Sequence, residues 1–191
     1  MRLCLALVVF VFLAGVTVPV AQTKPSDVPV DFSASVSFTG PSGTAATTLK
    51  IHVESYTSDR DRTVLLNALR TNGYQAFLPA FRKAPVVGYV QIKEEKWDLR
   101  YAQQQLKELG QTVTVATDQP MYFVGGGRPD AKPRAGFEMG VIRVELDTIG
   151  MGAGTMAAAA RVKPSADGQG VEIEDYGDTP VKLTMVSRIM R

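Results

Sequence analysis

The chain has 191 residues with a formal charge of +2, and 45% of its residues are hydrophobic. Lysines and arginines are scattered among acids, so no basic stripe of the kind that tracks nucleic acid is present. The length suffices for one hydrophobic core, and a single cysteine excludes a disulfide framework.

The N-terminus reads MRLCLALVVFVFLAGVTVPVAQT. Arg2 precedes an apolar run over residues 3–16. Such a run matches a signal-peptide core of about 7–15 residues and is short of the about 20 needed to span a membrane. This predicts a signal peptide over residues 1–21, cleaved after Ala21, and an extracytoplasmic protein, periplasmic or secreted. Pro19 is unfavourable just before such a cleavage site, and an uncleaved anchor is the alternative. No later stretch has the length and apolarity of a transmembrane span. Cys4 lies in the leader, ahead of its apolar core and not where a lipoprotein cysteine sits. The mature chain then has no thiol for catalysis or zinc. Arg2 is the only charged residue of the leader, so its removal takes the charge from +2 to +1.

Residues 22–30, QTKPSDVPV, are Pro-rich and polar and read as a flexible lead-in to a single domain over 31–191. In DFSASVSF, Phe32, Ala34, Val36 and Phe38 alternate with Asp31, Ser33, Ser35 and Ser37, the period of a half-buried strand. Leu49, Ile51 and Val53 alternate likewise with Lys50, His52 and Glu54. The period then changes. Ser58 and Asp61 have capping-box spacing, and Val64, Leu65, Ala68 and Leu69 form a helical apolar stripe that Gly73 should end. A second short helix is expected in YQAFLPAFRK, with Pro79 against it, before APVVGYVQI returns to strand character.

The stretch from Trp97 to Asp118 fits two patterns. As a helix, Leu99, Ala102, Leu106 and Leu109 share a face. As a strand, Trp97, Leu99 and Tyr101 alternate with Asp98, Arg100 and Ala102; the hairpin is favoured. Residues 124–136 form a Gly/Pro loop. Beyond it Ile142, Val144 and Leu146 share one strand face. Val171 and Ile173 oppose Glu172 and Glu174, and Val181, Leu183 and Met185 share a third face. The last four strands are expected to form a meander.

Gly150, Gly152 and Gly154 pose the choice between a nucleotide loop and a hairpin. A dinucleotide fingerprint needs a third small residue where Thr155 stands. TMAAAARV is also too short for a crossover helix before Pro164. The pattern therefore predicts a glycine-rich hairpin. Met156, Ala158, Ala160 and Val162 should point one way, and Ala157 and Ala159 should admit a close second layer.

Six blocks, from IHVESYTSDRDRTVLLNALRTNG through VTVATDQPMYF and ELDTIGMGAGTMAAAARV to VEIEDYGDTPVKLTMV, occur in an order that resembles a family of uncharacterised secreted bacterial proteins. The resemblance covers most of residues 49–186. Its most specific parts are Glu54-Ser55-Tyr56, Ala116-Thr117-Asp118 with Pro120, and residues 174–177 with Pro180. It implies a leader followed by one α+β domain and favours the hairpin at DLRYA. It brings no activity, cofactor or catalytic residue. The chain departs from the pattern in its longer QQQLKELGQ turn.

Candidate chemistry is sparse. His52, the only histidine, falls on a polar strand face with Lys50 and Glu54 and reads as exposed. No metal-ligand spacing surrounds it. Glu172 and Glu174, continued by Tyr176, could serve hydrolysis, but such a pair is more simply a solvated face. Asp118 reads as a turn or cap, and Asp167-Gly168 lacks the other acids of a calcium loop. Arg128, Lys132 and Arg134, against Asp130, could form a lid or an anion contact. Trp97, Tyr101, Tyr122 and Phe123 could line a pocket, or belong to the core. The ligand-binding candidates are thus Trp97, Tyr101, Tyr122, Arg128 and Arg134, with no catalytic residue, metal site or cofactor.

The expected fold is α+β: a mostly antiparallel curved sheet or partly closed barrel of about nine strands, with one or two helices inserted after the second. A two-sheet sandwich is the alternative. The expected function is a non-catalytic secreted or envelope-associated module that binds a protein, glycan or small amphipathic ligand. The alternative is a metal-independent hydrolase using acidic residues and tyrosine.

Overall fold

The computed structural model describes residues 28–40, 43–121, 135–166, 171–175 and 181–189. The expected signal peptide and most of the lead-in lie outside these residues. So do Tyr122, Phe123, Arg128, Asp130, Lys132, Arg134, Asp167, Gly168 and Tyr176.

Among the described residues, nine strands and one kinked helix follow in order: β1 (Val30–Gly40), β2 (Gly43–Val53), α1 (Asp59–Arg82), β3 (Gly88–Ile92), β4 (Glu95–Lys107), β5 (Gly110–Thr117), β6 (Met139–Leu146), β7 (Met151–Pro164), β8 (Val171–Asp175) and β9 (Val181–Ile189). Every pairing is antiparallel, in the order β6-β5-β4-β3-β2-β1-β9-β7-β8, and β6 also pairs with β7. Eight strands therefore close on themselves, with β8 added along β7. The α+β class and the strand count hold. Closure is complete, which excludes the sandwich.

The expected four-strand meander breaks at its end. β9 pairs with β7 and β1, not with β8. The reason is length. β7 has 14 residues, so its first half pairs with β9 and its second half pairs with β8.

The alternating apolar positions fill the barrel. Val30, Phe32, Ala34 and Val36 of β1 meet Leu49, Ile51 and Val53 of β2, Val113 and Val115 of β5, and Ile142, Val144 and Leu146 of β6 in one buried cluster. Burying a side chain of this size stabilises the fold by about 1.5–3 kcal/mol. Closure lets all eight strands share that burial while leaving the ring without a free edge.

Three bulges re-aim side chains where simple alternation fails. In β4, Leu99 faces Thr117 but Tyr101 faces Ala116, so one residue is extra. Leu99 and Ala102 point inward, whereas Tyr101 turns out to the helix. In β7, Val141 faces Ala157 while Met139 faces Ala160. Met156 stays inside, but Ala160 and Val162 join Ala157 beneath the helix. The expected single face for Met156, Ala160 and Val162 is thereby overturned. In β9, Ser33 and Ser35 face Ser187 and Thr184. Met185 takes up the extra length at φ 48° and is exposed, not aligned with Leu183. A bulge adds one residue and increases local twist.

Ser58 caps α1 as its spacing predicts: its Oγ accepts from the Asp61 amide at 3.1 Å and donates to the Asp61 carboxylate at 2.7 Å. Gly73 interrupts the helix as expected: at φ 68° and ψ −165° it breaks the helical geometry, and the second short helix expected after it runs through Pro79 to Arg82. The kink aims both halves at one wall. Leu65 and Leu69 before it, and Phe77, Leu78 and Phe81 after it, pack on Ala116, Met139, Val141, Ala157, Ala160 and Val162. Val64 is exposed, unlike the stripe expected for it. Ala157 is part of the close-approach surface that its size suggested, but its partner there is Ala160 and not Ala159.

The glycines form a hairpin. The Asp147 amide donates to the Met151 carbonyl at 2.8 Å, and Gly150 turns the chain at φ 83°. The Asp147 carboxylate accepts from the Ile149 and Met151 amides, both at 2.9 Å. Gly152 matters for a different reason: a Cβ there would collide with the Glu145 carbonyl of β6. Gly152→Ala should therefore push β6 and β7 apart and destabilise the barrel by about 1–3 kcal/mol, the usual range for overpacking. Urea unfolding midpoints of the two proteins measure it, and an unchanged midpoint contradicts the close approach.

Candidate functional site

α1 covers the wall formed by β5, β6 and β7. The opposite wall carries two cross-strand rows of mostly polar side chains. The first runs Ile189, Asp31, His52, Tyr89 and Asp98 across β9, β1, β2, β3 and β4. The second, two residues along each strand, runs Ser187, Ser33, Lys50, Gln91 and Lys96. Both follow from alternation, because Phe32, Ile51, Val90 and Trp97 take the interior.

His52 corrects the sequence reading. It lies on the outer face, as its register requires, but is only 9% exposed, and Asp31 beside it only 4%. The His52 Nδ1 is 2.6 Å from Asp31 Oδ1 and Nε2 is 3.0 Å from Glu54 Oε2. The ring stacks on Tyr89 with centroids 4.8 Å apart. Lys96 Nζ stands 3.7 Å from the Tyr89 centroid, and Lys50 Nζ stands 4.0 Å from Asp31 Oδ2. Cross-strand neighbours thus bury a histidine that alternation alone places in solvent.

The two carboxylates differ in kind. Asp31 is held between β2 and β9, and its side chain is nearly all buried. Glu54 lies one residue beyond β2 with its side chain 67% exposed. A carboxylate oxygen thus stands against each ring nitrogen. The two acceptors sit on opposite edges of the ring and do not converge on a common point. Among the described residues no three His, Cys, Asp or Glu side chains form a metal site.

The ligand-binding candidates from the sequence are not brought together here. Trp97 packs against the barrel core, and Tyr101 packs against the helix cluster with its hydroxyl donating to Gln103 at 2.7 Å. The β4 bulge separates them. Tyr122, Arg128 and Arg134 lie outside the described residues. Glu172 and Glu174 are ion-paired across to β7. Lys163 lies 3.1 Å and 3.0 Å from them, and Arg161 also pairs with Glu174. Asp118 accepts from Arg100 Nε at 3.3 Å, and Arg100 also donates to the Ala84 carbonyl at 3.0 Å. The β4 bulge residue thereby ties the end of the helix to the end of β5.

No family model matches the chain, nor does any curated protein or solved structure.

Glu54 leads into Tyr56, which turns inward and packs against the barrel core. Burial pushes its hydroxyl up to about 12, with the charge of Arg188 opposing. Folding therefore favours the neutral phenol. That contribution is fully present below pH 10 and is lost as pH rises towards 12, where the unfolded chain has already released its proton. Tyr56→Phe should lose stability less steeply across this window. Denaturant unfolding of both proteins tests this, since the raised Tyr74 and Tyr101 are common to both.

His52→Ala leaves the buried Asp31 carboxylate without its ring donor. The expected cost is about 2 kcal/mol or more, well above an exposed-site change of roughly 0.5 kcal/mol. Equilibrium unfolding at neutral pH decides between them.

Proposed function

We propose that the protein is a non-catalytic, extracytoplasmic binding module that takes its ligand on the outer barrel wall around His52. The observation that carries this reading is the ring geometry: both His52 nitrogens face carboxylate oxygens. A hydrolytic base needs a free lone pair within reach of a nucleophile or water, whereas here a carboxylate oxygen already stands against each ring nitrogen. The filled interior supports the outer wall as the binding surface. Phe32, Ile51, Leu99, Ile142, Met156 and Leu183 occupy the space that a small amphipathic ligand would need. The hydrolase alternative gains little from Glu172 and Glu174, which Lys163 and Arg161 already neutralise.

The apolar leader and the resemblance over residues 49–186 favour export. Among the described residues no helix is long and apolar enough to cross a membrane.

Three measurements test the reading. N-terminal sequencing of the protein recovered outside the cytoplasm should begin just after Ala21, whereas an intact Met1 on cytoplasmic material contradicts export. Thermal melts with a panel of glycans and peptides should reveal a ligand that raises the melting temperature. A ligand at a hundred times its dissociation constant adds about 2.7 kcal/mol. Turnover of chromogenic esters or glycosides that disappears in His52→Ala would move the protein to the hydrolase class.

A further inference from the structure

We propose that one rim of the barrel is a lipid-binding surface, and that the β4–β5 and β6–β7 turns enter the interfacial layer of a bilayer through Leu109 and Ile149. This rim is not the wall around His52, and the proposal does not depend on that wall.

Strand pairing brings the two turns side by side. Lys107 pairs with Gly110, so Glu108 and Leu109 form a two-residue turn. Gly110 lies so close to β6 that a Cβ there would collide with the Leu146 carbonyl and Asp147. Next round the ring, the Arg188 amide donates to the Gly150 carbonyl at 2.8 Å, and Ile189 follows, opposite Asp31 near the start of β1. Leu106, Leu109, Ile149, Met151 and Ile189 therefore fall on one arc of one rim. All five are exposed, Leu109 by 81% and Ile149 by 74%. Tight hairpin turns favour Gly, Asn and Asp, and the core gains nothing from apolar side chains at their tips. A contiguous exposed apolar patch marks an interaction surface.

Two observations point to a bilayer as the occupant. The first is the backbone of the β6–β7 turn, which is already paired. The Asp147 amide donates to the Met151 carbonyl at 2.8 Å, and the Gly150 amide donates to the Asp147 carbonyl at 3.2 Å. The Asp147 carboxylate accepts from the Ile149 and Met151 amides. Backbone groups are costly to take out of water when they are left unpaired, so this turn can enter the headgroup layer without stranding those donors. The second is where the chain enters the barrel. β1 starts at Val30 on this rim, and residues 17–29 join it to the apolar run over residues 3–16. A leader held in a bilayer, in transit or retained as an anchor, tethers the barrel by this end. The flanking charges are mixed, with Glu145 between Lys107 and Arg143, so apolar contact and not lipid charge sets the affinity.

Cys4 is the single cysteine, so Leu109→Cys in a Cys4→Ser background carries the only thiol, whichever N-terminus the protein has. A polarity-sensitive dye on that thiol should shift to the blue, saturably, with phosphatidylcholine vesicles. The same dye on Ile173→Cys should not shift. Ile173 is also exposed, but it lies on β8, which pairs with the opposite end of β7. In vesicle flotation of the protein recovered outside the cytoplasm, Leu109→Ser combined with Ile149→Ser should weaken binding about tenfold or more, since both changes remove apolar area from the interface. Val171→Ser combined with Ile173→Ser should leave binding unchanged. Replacing part of the lipid with phosphatidylglycerol should matter less than the rim substitutions. All four positions are exposed, and unchanged thermal melts verify that the variants fold.

The proposal is overturned if the dye at position 109 stays unshifted with both lipids, or if the dye at position 173 shifts equally. It is also overturned if the shift follows protein concentration instead of lipid, with a dimer in sedimentation; the rim is then an interface between two copies of the chain. None of these outcomes bears on a ligand of the His52 wall, which the melts with glycans and peptides test separately.

Discussion

The pairing of β1 with β9 is the contact on which the rest of the structure depends. It joins the first strand to the last and turns an open eight-stranded sheet into a ring. Without it, Phe32 and Val36 would face a core open on one side, and both β1 and β9 would present unpaired edges. The pairing is also what fixes the wall site. Asp31 is held from one side by His52 and from the other by Ile189, so its carboxylate is locked where His52 Nδ1 needs it. Core and site therefore share one cause, and a loosened β1–β9 seam would damage both.

Closure also explains where the irregularities fall. A strongly curved sheet needs local bends, and a bulge is the cheapest one. Those in β4, β7 and β9 each send neighbouring residues of one strand to different layers. In β7 this is useful: Met156 fills the barrel while Ala157, Ala160 and Val162 form the floor beneath α1. Alanine is small enough for a helix to settle closely, which is why an alanine run lies on a strand despite its helix propensity. Packing decided the outcome and local preference did not.

Much of the fold was legible because alternation is a direct consequence of pleating. Phe32, Ala34 and Val36, then Leu49, Ile51 and Val53, then Ile142, Val144 and Leu146 all lie where the two-residue period puts them. So does the Ser58 cap, whose partners are three residues apart. What alternation cannot carry is the extra residue of a bulge, since Tyr101, Ala160 and Met185 keep the period in sequence and lose it in space. Nor can it carry pairing between distant strands. β9 skipping β8 depends on the length of β7, which the sequence shows only once its boundaries are known.

His52 was hidden for a related reason. Its face was correctly read, but a residue on an outer face is exposed only if its neighbours are small or absent. Here Asp31 arrives from 21 positions earlier and Tyr89 from a strand beyond the helix. The local signal was the trio Lys50, His52 and Glu54 on alternate residues, which is also the pattern of an ordinary solvated strand. The deciding fact is the register that sets Asp31 opposite His52. That register places a buried aspartate on one side of the ring, while the glutamate on the other side is mostly exposed. A buried ion pair is weak evidence of stability, since desolvating the charges offsets most of their attraction. With apolar side chains inside the barrel and α1 covering the far wall, the His52–Asp31 contact is a buried polar pair on the outer wall.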